Sequence, residues 1–353
     1  MERNANRIFD KKRIKLFEAF SGVGTQKMAL EILAKELGLE IETVGYSEID
    51  KFAIKSYEAI HGEHIKNYGG IGSFERMPKD IDICTWSFPC QDISAAGKQK
   101  GMTEGSRSNY GYVFLDTIEN TPYEERPKVL LMENVKALVG KKFKKDFTTI
   151  LERLQQMGYK NFWKVLNAKH YGVPQNRERV FVVSILDDLD YEFPKPFPLE
   201  KQLKDYLETN VDEKYYLSEK TISYIINTKY EQSSINRIPY EHGVLPSITT
   251  SQGGNREPKV ILEANWKEFP KDLTGKVFQI VENDNKAYVI HNGVAYRIRK
   301  LTPLEAWRLM DISDEDFYKV KETGMSDAQL YKQAGNGIVV SVVEHILKEL
   351  FDE

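Results

Sequence analysis

The sequence predicts an α/β protein built on a mostly parallel sheet covered on both faces, with a smaller second domain. Three observations carry this. Strand-like and helix-like patterns alternate through the first half, as they do where crossover helices join parallel strands. The first strand runs through a Gly-containing turn directly into a helix, the opening unit of a doubly wound sheet. The chain has 353 residues, 41% hydrophobic and 29% charged, which suits one large domain plus a smaller one.

The elements follow in order. IKLFEAF (14–20) reads as a strand, and QKMALEILAKELG (26–38) as a helix closed by Gly38. IETVGYSEI (41–49) is a second strand and KFAIKSYEAIHG (51–62) a second helix. Further strands are IDICTWSF (81–88), VLLMENV (129–135), NFWKVLNA (161–168) and RVFVVSIL (179–186). KDFTTILERLQQMG (145–158) is a helix between two of them. At DYEFPKPFPLE (190–200) three prolines fall in five residues, and the chain then stays polar to about residue 300. RKLTPLEAWRLM (299–310) resumes helix, with Thr302 as cap and Pro303 in the first turn. NGIVVSVVEHILKELF (336–351) is a closing amphipathic helix. Three segments result: 1–190, an inserted 191–298, and a return at 299–353.

Several classes are disfavoured by the totals. No run approaches the roughly 18 apolar residues of a membrane span, and the polar N-terminal stretch is not a secretory signal. Two cysteines cannot build a disulfide framework, which suits a reducing cytoplasm. The net charge of −3 advertises no nucleic-acid partner, so any such surface has to be local. The basic run GKKFKKDF (140–147) reads first as a solvated helix start. The histidines, His61 and His64 among them, show no zinc spacing, and no metal is expected.

The chemistry-bearing residues sit at strand ends. DICTWSFPCQDIS (82–94) ends its apolar run on Pro89-Cys90-Gln91, at the ligand edge of such a sheet. Cys90 is therefore a candidate nucleophile, while Cys84 lies inside the run and reads as buried. LMENV (131–135) puts Glu133 and Asn134 on the same edge, where an apolar setting raises a carboxyl pKa. YGVPQNRERVFVVSIL (171–186) adds Gln175, Arg177 and Arg179. Alternation along a strand would place both arginines on one side, facing an anion or a carbonyl. FEAFSGVGTQ (17–26) and Glu48 in SEID favour an adenosine-bearing cofactor. Lys27 stands where the dinucleotide fingerprint wants a third glycine, so no pyrophosphate is required.

Together FSGVG, SEID, SFPCQDIS, LMENV, QNRERV and QAGNGIVV resemble, in this order, the DNA cytosine methyltransferases that make 5-methylcytosine. The bacterial and phage restriction–modification type is most similar. The resemblance spans 14 to about 187 and about 299 to 350. It implies a Rossmann-like S-adenosylmethionine-dependent methyltransferase fold with a target-recognition domain at 191–298. It also implies that Cys90 attacks carbon 6 of a flipped cytosine, Glu133 protonates ring nitrogen 3, Arg179 bonds the carbonyl oxygen and Arg177 supports the pocket. Phe20, Ser21, Gly22, Gly24, Glu48, Ile49, Pro89 and Asn336 would bind S-adenosyl-L-methionine. Gly70 and Ile71 in NYGGIGSF replace the usual Asp-Ile that reads adenine, so either this backbone or Asp82 does that work. Gly337 replaces the usual Ser. Gln91 and Ser94, in a loop at 91–108, and Thr249, Gln252 and Arg256 would meet duplex DNA. The expected enzyme is a monomer, and the candidate companion is a restriction endonuclease acting independently.

Other readings explain less. A nicotinamide oxidoreductase has no use for Cys90 with Glu133 and Arg179. A zinc deaminase lacks its ligands. A transfer-RNA cytosine methyltransferase shares the motifs, but a long polar insert suits duplex reading. A repressor with a dead site would be expected to lose Cys90 or Glu133.

Overall fold

The computed structural model describes residues 9, 12–93, 101–227, 237–251, 256–266 and 279–351. Its first half comprises β1 (Arg13–Ala19), α1 (Thr25–Leu37), β2 (Glu40–Ser47), α2 (Lys51–His61), β3 (Ile83–Trp86), α3 (Tyr110–Asn120), β4 (Val129–Val135), α4 (Lys144–Gln156), β5 (Lys160–Asn167), β6 (Gln175–Asn176) and β7 (Glu178–Ile185). Six of these strands form one sheet in the order β2-β1-β3-β4-β7-β5. The pairs β1–β2, β1–β3 and β3–β4 are parallel, whereas β7 runs antiparallel to both neighbours. The reversal has a simple cause. The link from β5 to β7 is too short for a crossover helix, so the chain must turn back on itself.

The order matters for function. From β1 the chain moves outward to β2, then crosses back to lay β3 on the other side of β1. Loops leaving β1 and β3 therefore diverge, opening a crevice at the C-terminal edge of the sheet.

Side chains alternate between two cores, as a pleated strand requires. Leu16, Ile83, Leu131 and Val183 share one with Leu30 and Leu33 of α1. Phe17, Cys84, Met132 and Val182 face the other with Phe114 of α3 and Ile150 of α4.

The later region holds α5 (Glu219–Asn227), β8 (Leu245–Pro246), β9 (Lys259–Glu263), β10 (Gln279–Asn283), β11 (Lys286–His291) and β12 (Val294–Lys300). β10-β11-β12-β9 is an antiparallel sheet. Its two tight turns use the left-handed backbone of Asp284-Asn285 and Asn292-Gly293, which matches strand twist in hairpins. Leu217, Ile222, Ile261, Val289 and Ile298 form a small core of its own. β6 and β8 pair in parallel and fasten this region to the large sheet.

The chain then returns through α6 (Pro303–Arg308), α7 (Asp314–Glu322), α8 (Asp327–Asn336) and α9 (Val340–Lys348). Thr302 caps α6 reciprocally with Glu305, and Pro303 occupies its first turn. Two expected helices are shorter than their patterns. Arg299 and Lys300 complete β12, so helix starts only at Pro303. The closing helix starts at Val340, because α8 ends at Asn336 and Gly337 leaves the helical path with an extended backbone.

Among the described residues no helix is long and apolar enough to cross a membrane.

Candidate active site

Strand register alone gathers most of the site. Ala19, the last residue of β1, pairs with Ser47 of β2 and with Trp86 of β3. Trp86 pairs with Met132, Glu133 with Phe181 and Val135 with Arg179. The residues that follow these positions thus lie side by side on one edge: Phe20 to Gly24, Glu48, Ser87 to Cys90, Glu133 and Arg179.

Cys90 is partly buried and Cys84 fully so; both are free thiols. Two buried groups brace the backbone just before Cys90. Asn134 Nδ2 donates to the Phe88 carbonyl at 3.1 Å, and Ser108 Oγ donates to the Pro89 carbonyl at 2.6 Å. Arg179 Nε lies 3.0 Å from Glu133 Oε1. Burial pushes the Glu133 pKa up, while the Arg179 and Arg177 charges and a hydrogen bond from Ser87 pull against it. Burial also raises the Cys90 thiol. The Glu133 carboxylate pushes it the same way, and Arg179 and Arg177 lower it. One thiol, one carboxyl and one guanidinium therefore act on each other at one sheet edge, and burial favours the neutral form of the first two.

Arg177 departs from its expected place. It precedes β7 rather than sharing its face with Arg179, and it is 3% exposed. Its Nη1 donates to Ser247 Oγ at 3.2 Å and the Ile248 carbonyl at 2.9 Å; its Nη2 donates to the carbonyls of Gly335 at 2.9 Å and Gly337 at 2.6 Å. Burial and the nearby Arg179 charge press its pKa down, yet four oxygen acceptors suit only the cation. Gln175 makes a parallel tie, donating to the Leu309 carbonyl at 2.7 Å and accepting from Ile248 N at 3.0 Å. Both side chains bind the inserted region to the returning helices behind the pocket. Arg177→Ala, which strands several buried acceptors, is expected to lower unfolding free energy by about 3–5 kcal/mol in a urea titration. Arg177→Lys, with one donor centre instead of a fork, should recover only part of it.

The family model for C-5 cytosine-specific DNA methylase matches residues 14–352. The chain belongs to that family. A type II methyltransferase, M2.ScrFI of Lactococcus lactis subsp. cremoris, is 34% identical, with 96% of this chain and 99% of that one covered. The orphan methyltransferase M.SPBetaI of Bacillus phage SPbeta is 32% identical over 96% and 97% of the two chains. Among solved structures, the Entamoeba histolytica methyltransferase EhMeth superposes with a TM-score of 0.71 at 19% identity, covering 97% of this chain and 99% of that chain; this likeness concerns the fold. The protein is thus a DNA (cytosine-5-)-methyltransferase that uses S-adenosyl-L-methionine.

The same sheet edge of the methyltransferase carries groups that suit that cofactor. Glu48 Oε2 accepts from Gly22 N at 3.0 Å, and its Oε1 accepts from Ile49 N at 2.8 Å and Asp50 N at 2.9 Å. This fixes a carboxylate at the end of β2, where ribose hydroxyls are bound in such sheets. Ser21 Oγ is buried with no partner among the described residues. Ile49 is 72% exposed, an apolar side chain open to a flat ring, and a Cβ on Gly70 would come within 3.2 Å of it. Gly24 has φ 82°, and a Cβ there would lie 2.3 Å from His61 Nε2. Phe20 is half-buried with φ 58°. Ile71 is buried, Pro89 half-buried, and Asn336 exposed at the end of α8. Asp82 does not reach this edge. It precedes β3, at the opposite end from Cys90, and accepts from Lys15 N at 2.8 Å.

Of the residues expected to meet DNA, Gln91, Thr249 and Arg256 are exposed. Gln91 accepts from Arg107 Nη1 at 2.5 Å. Ser94 and Gln252 lie outside the described residues. The Thr249 backbone presses on α8 so closely that a Cβ on Gly335 would sit 2.4 Å from it.

Sequence reasoning missed Ser108 and Glu18. Glu18, buried on β1, accepts from Lys27 N at 3.1 Å and from the Tyr57 hydroxyl at 2.7 Å. It serves the first turn of α1, whose cap residue Gly24 offers no side chain. Burial pushes its pKa up to about 7. The available signal was one acid inside the otherwise apolar run LFEAF (16–20).

Proposed function

We propose that this chain methylates carbon 5 of a cytosine extruded from a specific duplex sequence, through a covalent bond from Cys90 to carbon 6. The observation that carries this reading is the gathering of Cys90, Glu133 and Arg179 on one sheet edge, where the charges of Glu133 and Arg179 act on the Cys90 thiol. Thiolate is the attacking form. Glu133, held toward its protonated form, would give its proton to ring nitrogen 3 as the sulfur adds. Arg179 would bond the carbonyl oxygen. S-adenosyl-L-methionine supplies an electrophilic methyl group. Phe20, Ile49, Gly70 and Ile71 would enclose its adenine, Glu48 its ribose, and Ser21, Gly22, Gly24, Pro89 and Asn336 the remainder. After methylation a base removes the carbon 5 proton, and the sulfur leaves. Arg177 would act through position rather than contact.

That face of the ring is stacked inside a duplex, so extrusion is required and costs a few kcal/mol. Segment 191–298 would read the sequence, with Gln91, Ser94, Thr249, Gln252 and Arg256 meeting the duplex. The enzyme would act as a cytoplasmic monomer and protect DNA from a separate restriction endonuclease.

The test is incubation of duplex DNA and transfer RNA with methyl-labelled S-adenosyl-L-methionine. Label should enter 5-methylcytosine of DNA at one sequence context. Label confined to transfer RNA would overturn the substrate assignment.

A further inference from the structure

We propose that His61 is a positioning residue for the cofactor: its imidazole N–H, held on the Val23 carbonyl, keeps the loop Phe20–Gly24 in the shape that receives S-adenosyl-L-methionine. The inference rests on the assignment of that loop to the cofactor and adds to it a residue behind the loop.

The loop needs outside support to hold its path. Phe20, Gly22 and Gly24 have φ of 58°, 59° and 82°, and the left-handed backbone is costly at Phe20, which has a Cβ. Gly24 stands at the cap of α1 and has no side chain with which to serve the first turn. Two side chains from other elements do that work. Glu18 accepts from Lys27 N at 3.1 Å. His61 Nε2 meets the Val23 carbonyl at 3.1 Å, and no other donor reaches that carbonyl among the described residues. Val23 is 4% exposed, so an unpaired carbonyl there would disfavour this path.

The chemistry of the contact is defined. A carbonyl can only accept, so Nε2 carries the proton. Burial first, then the Lys27 charge, presses the His61 pKa down to about 3, and the ring is neutral. Its single N–H is therefore spent on the loop. The ring is itself fixed. Its side chain is 2% exposed and lies 4.6 Å from the ring of Tyr57, one turn earlier in α2. Tyr57 stacks on Tyr46 at 4.0 Å and donates to Glu18 at 2.7 Å, so the two side chains that serve the loop are joined through Tyr57. α2 follows directly on Glu48 and Ile49 and ends on His61. One helix thus ties the acid assigned to ribose, at its start, to the group that shapes the loop, in its last turn.

The experiment measures binding of S-adenosyl-L-homocysteine to the full-length protein by calorimetry, with steady-state methyl transfer to duplex DNA and the melting temperature of the ligand-free protein beside it. His61→Phe keeps a ring against Tyr57 and removes the N–H. It is expected to weaken binding about tenfold, as the loss of one buried hydrogen bond does, and to raise the cofactor KM by a similar factor. The KM for DNA and kcat at saturating cofactor should stay unchanged. His61→Asn, whose amide stops short of the carbonyl, should lose as much. His61→Gln, whose amide N–H reaches the place of Nε2, should restore most of the affinity. Wild-type affinity in His61→Phe and His61→Asn, or no recovery in His61→Gln, overturns this inference alone, provided that Glu48→Ala weakens binding. A lowered melting temperature with equal losses toward cofactor and DNA marks a purely structural role and also overturns it. Unchanged binding in Glu48→Ala as well as in the His61 variants overturns the cofactor assignment beneath it.

Discussion

Replacing Cys90 by alanine is expected to reduce methyl transfer more than about 10⁴-fold, because no neighbouring group can replace a thiolate nucleophile. Structure limits the side effects. Cys90 is only partly buried, and its backbone is held by Asn134 and Ser108 through the carbonyls of Phe88 and Pro89 rather than by its sulfur. The variant should therefore fold, and cofactor-dependent thermal stabilisation should survive. Cys84→Ala is the control: that thiol lies in the core against β1 and β4, and burial raises its pKa well above the ordinary range. It should cost some stability and leave turnover in place. A duplex carrying 5-fluorocytosine sharpens the measurement. Its carbon 5 fluorine cannot leave as a proton does, so the wild-type enzyme should stay bound to DNA on a denaturing gel. Cys90→Ala should show no such band. Near wild-type turnover by Cys90→Ala would end the covalent mechanism.

How much of this was legible in the sequence depends on how local each cause is. Cys90, Glu133 and Arg179 each stand at the end of an apolar strand, and a parallel sheet displays such ends together. The register bringing them side by side is set by pairing between distant stretches and could not be read. Nor could the reversal of β7, which follows from a connection too short to cross over. Arg177 was legible as important and illegible in role, since its partners lie at Ser247, Ile248, Gly335 and Gly337. Asp82 and Gly70 were equal candidates in sequence. Their separation required knowing which end of β3 faces the cofactor. The inserted region resisted most, because hairpins closed by polar turns leave weak periodic signals.

Glu133→Gln is expected to separate two properties that usually fall together: methyl transfer should drop about 10²- to 10⁴-fold while the Cys90 thiol becomes easier to ionise. The carboxylate raises the Cys90 pKa, and Arg179 and Arg177 lower it. Glutamine removes the first influence and keeps the other two, so the thiol pKa must fall. Alkylation by iodoacetamide should then reach half its maximal rate at lower pH than in the wild-type protein. The wild-type rate of methyl transfer should be bell-shaped in pH. It rises as Cys90 ionises and falls as Glu133, whose pKa burial has raised, loses the proton it must donate. In Glu133→Gln the fall at high pH disappears, and the rate rises with Cys90 ionisation alone to a plateau. A carboxylate serving only as the counterion of Arg179 would predict otherwise. Its loss would weaken substrate binding and leave the descending limb unchanged. Retained turnover within tenfold of wild type, or an alkylation profile shifted upward, would exclude Glu133 as the acid that activates the ring.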